Sequence, residues 1–138
     1  APLWAGIATK EQAWHVAQAI NDPRYFRAKY GPTTHSMAHK KFSDYWRGDV
    51  ALRMSWMAFH GLMQYGFMEI AKWIVDATIQ RYKDHNWDGA EMWNPESGIG
   101  YWTQSAEMGL LLDMIVTHSD YISPDKSKKT VNNRMVIK

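Results

Sequence analysis

The chain contains no cysteine. Disulfides and zinc–thiolate centres are therefore excluded, and thiol usage gives no clue to compartment. No apolar run approaches the roughly 20 residues of a membrane-spanning helix, so no membrane span is expected. There is no excess of one charge sign: 16 basic residues face 14 acidic ones, for a net +2. That balance argues against a nucleic-acid partner. Ala1-Pro2-Leu3-Trp4 carries no secretory pattern. The absent initiator Met fits simple trimming and a cut from a longer chain equally well, and the localisation stays unknown.

What is present is aromatic. Of 138 residues, 14% are Phe, Trp or Tyr, and 8 are Trp. Every buried indole N–H needs a partner, so this much Trp suggests that some rings line a groove. The 46% hydrophobic and 22% charged fractions fit one globular domain with a real core.

The first helix is marked by Thr9-Lys10-Glu11-Gln12, a capping box with Thr at the N-cap and Gln at N3. Asn21-Asp22-Pro23 ends it, and residues 24–29 are read as one further turn. Residues 30–48 read as a long polar loop. Helices follow over 50–65 and 68–83, antiparallel because Gly66 closes the first as a C′ glycine and the link is short. Residues 85–102 read as a second long polar loop, and a last helix is expected over 103–117. Trp14, Trp56 and Trp73 fall at helical spacing and read as core. The class is all-α: about four long helices with two long polar loops. Residues 1–117 form the helical segment and 118–138 an irregular basic tail, holding Lys126, Lys128, Lys129, Arg134 and Lys138. Val131 and Met135–Ile137 fit a short strand or packing segment within that tail.

The two loops carry the chemistry. One ends Tyr45-Trp46-Arg47-Gly48; the other holds Glu91-Met92-Trp93-Asn94-Pro95-Glu96-Ser97-Gly98. Aromatic faces stack on sugar rings, arginine binds hydroxyls, and a carboxylate moves a proton. The plain alternatives are a solvated Glu91, core-packed Trp46, Trp93 and Trp102, and an Arg47 paired with Asp44 or Asp49. His35 and His39 lie four apart but have no third ligand type beside them, so no metal site is assigned.

Four segments in order resemble the (α/α)6-toroid glycosidases that include processing α-glucosidase I, mannosylglycerate hydrolase and, more distantly, trehalase (glycoside hydrolase family 63-like). They are Pro2–Ala8 with Gln12-Ala13; Asp22-Pro23 with Phe26; Tyr45–Gly48 with Val50, Gly61-Leu62 and Tyr65–Phe67; and Glu91–Gly98 with Tyr101-Trp102 and Ser105-Ala106. The resemblance implies inverting hydrolysis of an α-glucoside or α-mannoside without a cofactor. Glu91 falls on the family's general base. Tyr45, Trp46, Arg47, Gly48, Trp93, Tyr101 and Trp102 fall on the sugar subsite. Asp49, Ala51 and Ser55 stand where the family shows Pro, Trp and Asn, and the family's acidic Asp lies upstream of everything matched. Asp49 is the candidate for a substitute acid. Four helices make about a third of a closed toroid, so the expected partners are a carbohydrate and another polypeptide or the missing N-terminal part. The rival reading is a non-catalytic helical subunit that binds sugar or protein through the aromatic loops.

Overall fold

The computed structural model describes residues 1–39, 45–103 and 105–122. Among them are four helices: α1 (Lys10–Asn21), α2 (Leu52–Gln64), α3 (Met68–Asp84) and α4 (Ser105–Ile122). Short strands complete the fold: β1 (Arg27–Ala28), β2 (Gly31–Pro32), β3 (Val50–Ala51), β4 (Ala90–Trp93) and β5 (Gly100–Thr103).

The helix ends follow local chemistry. Thr9 Oγ1 accepts from the Gln12 N–H at 3.2 Å, and the Gln12 side chain accepts from the Thr9 N–H at 2.9 Å, completing the capping box. At the end of α2, Gly66 has a φ of +84°. The Gly66 N–H reaches Met63 O at 3.1 Å and the Phe67 N–H reaches Leu62 O at 2.9 Å, a Schellman closure that turns the chain straight into α3. Between α2, α3 and α4 lie Phe59, Leu62, Ile74, Leu111 and Met114, all at most 1% exposed. Each such side chain contributes about 1.5–3 kcal/mol by burial.

The all-α expectation needs correction. The expected turn over 24–29 is instead a hairpin, with Arg27 opposite Pro32 and Ala28 opposite Gly31. A three-stranded antiparallel sheet is ordered β3-β4-β5: β4 and β5 lie in the second expected loop, β3 takes the first two residues of the helix expected over 50–65, and Thr33 of the first loop bridges to Val50 on the outer side. The molecule is mostly helical, with this sheet at one end. The sequence concealed it because β3 has two residues and all four residues of β4 are buried. Neither strand shows the polar alternation that marks a half-exposed strand.

Two further boundaries differ. Helix α4 continues to Ile122, so residues 118–122 are helical, and the rest of the expected basic tail lies outside the described residues. Trp14 is 51% exposed rather than core, and Trp56 and Trp73 are half-buried against the core edge. Arg27 lies over the Trp73 ring at 4.1 Å, and the Trp56 indole donates to Asp113 Oδ2 at 2.6 Å. Among the described residues no helix is long and apolar enough to cross a membrane.

Candidate active site

The β4–β5 hairpin organises the site. Its turn is built by Asn94, whose side-chain oxygen accepts from the N–H groups of Glu96 and Ser97 at 3.0 and 2.9 Å. The Asn94 N–H meets Ile99 O at 3.0 Å, closing the loop.

Arg81 holds the hairpin from behind. It is fully buried, with Nε donating to Gly98 O at 3.0 Å, Nη2 to Asp88 Oδ2 at 2.8 Å and Nη1 to Asp88 Oδ1. A Cβ at Gly100 would lie 2.1 Å from Arg81 Nη2, so the strand leaves room for the guanidinium only because residue 100 has no side chain. Burial alone would raise the Asp88 carboxyl. The Arg81 hydrogen bonds, the Ala90 N–H and the Arg81 charge outweigh it and hold that group below its ordinary value. Tyr82 donates to Ala90 O at 2.7 Å, and burial pushes its phenol up.

Trp93, expected as a sugar platform, belongs to this scaffold instead. It is fully buried, its indole N–H donates to Tyr30 O at 3.1 Å, and its ring meets Tyr82 edge-on at 5.6 Å. No face of it is open to a ligand.

Glu91 lies on the central strand, between β3 and β5, and is 8% exposed. Its Oε1 accepts from Arg53 Nη2 at 2.9 Å. The same Nη2 donates to Glu107 Oε1 at 2.6 Å, and Arg53 Nε reaches that oxygen at 3.2 Å. Arg53 is the second residue of α2 and Glu107 the third of α4, so the positive ends of two helices face this group of charges. Neither residue was singled out from the sequence. The available signal was local: a cation in the first turn of a helix is out of place unless an anion joins it.

The other expected subsite residues occupy the same sheet and the turn before it. Tyr45–Arg47 form a single 3-10 turn, with Trp46 and Arg47 exposed. Gly48 is buried, and its N–H donates to Thr34 Oγ1 at 3.2 Å. Asp44, one proposed partner of Arg47, lies outside the described residues. Asp49 is 4% exposed. Tyr101 pairs with Met92 and is half-buried. The same register places Trp102 across from Glu91. Trp102 is 64% exposed and has a φ of +62°, uncommon for a bulky side chain. The structure thus brings Glu91, Tyr101 and Trp102 onto adjacent strands and starts β3 three residues after Arg47.

An apolar cavity of about 390 Å³ lies elsewhere, between the N-terminal segment, α1 and α2. It is lined by Leu3, Trp4, Ile20, Phe26 and Met57 and includes none of the charged residues above. Among the described residues no group of three or more His, Asp or Glu is arranged to hold a metal.

Residues 1–107 match the family described as the mannosylglycerate hydrolase MGH1-like glycoside hydrolase domain. The chain belongs to this glycoside hydrolase family. Its relatives include mannosylglycerate hydrolase MGH1 of Selaginella moellendorffii, 32% identical over 102 residues that make up 72% of this chain and 20% of that protein. The mannosylglycerate hydrolase of Rubrobacter radiotolerans is 30% identical over 74 residues, 52% of this chain and 16% of that one. The fold is shared with the GH63 mannosylglycerate hydrolase of Thermus thermophilus, solved with Tris and D-glycerate. There the TM-score is 0.68 at 23% identity, covering 84% of this chain and 28% of the other. The chain spans about a fifth of the length of the curated glycoside hydrolases it matches.

Proposed function

We propose that this chain forms about a third of an (α/α)6 toroid and supplies the general base and part of the sugar subsite of an inverting α-glycoside hydrolase. A glucoside or mannoside, tested first as its glycerate conjugate, is the substrate class. One observation carries the reading: Glu91 sits almost buried at the centre of the sheet, with an arginine N–H on one carboxylate oxygen. A general base must be held in direction, and a charge-assisted hydrogen bond does that.

In the proposed step Glu91 takes a proton from water. The water oxygen bonds to the anomeric carbon as the glycosidic C–O bond breaks. The departing oxygen takes its proton from a carboxylic acid on another segment. The two carboxyl groups of an inverting pair stand roughly 6.5–9.5 Å apart, which leaves room for that water. Trp46, Arg47, Tyr101 and Trp102 would line the sugar.

The departures at Asp49, Ala51 and Ser55 favour a second reading, a subunit that binds sugar without cleaving it. One experiment separates the two. In the intact assembly containing this chain, Glu91→Gln is expected to lower kcat by about 10²–10⁴-fold, the usual contribution of a general base. Full hydrolysis by the variant would exclude the base role, and a wild-type assembly that binds the conjugate without cleaving it would establish the second reading.

A further inference from the structure

We propose that Arg53, oriented by Glu107, is the positioning group for Glu91: the three side chains form one device in which Glu107 fixes the arginine and the arginine fixes the base. This rests on the reading of Glu91 as general base.

The first observation is the position of Arg53. It occupies the first turn of α2, where the helix end is already positive. The residue before that turn, Ala51, provides no side-chain cap. A cation there breaks the local rule, and such breaks mark sites kept for function. Two carboxylates offset it, and a single one would balance its charge.

The second observation is how the hydrogen bonds are divided. Glu107 Oε1 accepts from both Nε and Nη2 of Arg53, whereas Glu91 takes only a share of Nη2. Two contacts on one guanidinium edge set its plane, so Glu107 decides where Nη2 points. Glu91 then meets a donor whose direction is already settled.

The third observation is the burial of Glu107. Its side chain is 6% exposed, and its second oxygen, Oε2, has no hydrogen-bond partner among the described residues. Leaving a buried acceptor unsatisfied costs about 1–3 kcal/mol. The helix end of α4 offsets part of that cost. Glu107 is not the acid of the inverting pair. Its oxygen and that of Glu91 share one nitrogen at 2.6 and 2.9 Å, closer together than the roughly 6.5–9.5 Å such a pair requires. The arginine also fills the space a water would need.

The test uses the intact assembly and a hydrolysis assay. Arg53→Ala is expected to lower kcat by about 10²-fold, the scale of a misplacement of about an ångström, with KM nearly unchanged. Guanidinium ion at millimolar concentration should restore at least a tenth of the lost rate, and methylammonium should not. Glu107→Gln should lower kcat by about tenfold. A kcat near wild type in Arg53→Ala would overturn the proposal, as would a loss that guanidinium leaves untouched in a folded variant. If Arg53→Ala does not fold, Arg53→Lys decides. Lysine keeps the charge but loses the fork, so a folded variant with kcat lowered tenfold or more supports positioning, and an unchanged kcat overturns it. Product released with retained anomeric configuration would also overturn it, since a closely spaced pair would then be the reacting one. Glu91→Gln separates the two claims. If that variant is inactive while Arg53→Ala is fully active, only the positioning role fails. If Glu91→Gln is fully active, the base reading itself fails.

Discussion

Arg81 and Arg53 both bind the β4–β5 hairpin region through carboxylates, yet their surroundings differ in every respect that matters for use. Arg81 is fully buried, faces one carboxylate and one carbonyl, and lies 5.0 Å from the rings of both Tyr82 and Trp93. Its guanidinium is shut away from water. The Arg53 side chain is 44% exposed and faces two carboxylates, Glu91 and Glu107. A buried arginine held by one carboxylate and one carbonyl fixes a shape, whereas a half-exposed arginine shared between two carboxylates gives each of them only part of its donors.

The contrast is most sharply tested by removing each arginine. Arg81→Met removes the guanidinium donors from Asp88 and the Gly98 carbonyl, and thermal unfolding should show a loss of about 3 kcal/mol, the low end for a broken buried pair because Asp88 is partly exposed and keeps the Ala90 N–H. Arg53→Met should cost less, about 1–2 kcal/mol: Glu91 and Glu107 are buried, but Arg53 is 44% exposed, so water can take its place beside them. Equal losses would erase the distinction. Gly100→Ala attacks the same scaffold indirectly. Its Cβ would also lie 2.4 Å from the Ala90 Cβ, so denaturant titration should show about 1–3 kcal/mol of destabilisation. Acid unfolding should then separate the carboxylates. The folded Asp88 carboxyl titrates below its unfolded value of 3.8, so its contribution is complete above that pH and is lost as pH falls through the lower folded value. Asp88→Asn should flatten the pH dependence of stability below about pH 4, and an unaltered acid limb would mean that Arg81 binds mainly through Gly98. The smallest effect is expected at Gly109. This exposed residue of α4 would meet nothing within 4 Å of an added Cβ, so Gly109→Ala should stabilise by about 0.5–1 kcal/mol without altering kcat, although α4 carries Glu107.

The parts of this structure that were legible in sequence are those with a local cause. Thr9 with Gln12, and Gly66, each specify their geometry through their own backbone needs. Helical spacing places Trp14 on one side of α1 but cannot say whether anything covers that side, which is why the core expectation fails there and Trp14 lies exposed. The sheet was invisible because β3 and β4, buried along their whole length, show no alternation, and because pairing Val50 with Trp93 depends on contacts far apart in sequence. The aromatic setting and the family pattern pointed to Glu91. They gave Trp93 the wrong task, since a Trp beside a carboxylate can face the ligand or hold up the wall, and only its indole partner distinguishes these. Arg53 and Glu107 were missed for the same reason: they lie 54 residues apart, and their meaning exists only once α2 and α4 are side by side.

Ala51 is both the last residue of β3 and the N-cap of α2. With no linker between strand and helix, the sheet register also fixes the rotation of α2 about its own axis. A slip of one residue between β3 and β4 would shift Arg53 by about 3.3 Å along the strand direction and turn Glu91 toward the opposite face. No intervening loop can absorb such an error, so the chain assembles these charges in register or not at all. The pairing of Val50 with Trp93 and of Ala51 with Met92 is thus a structural condition for the charged cluster.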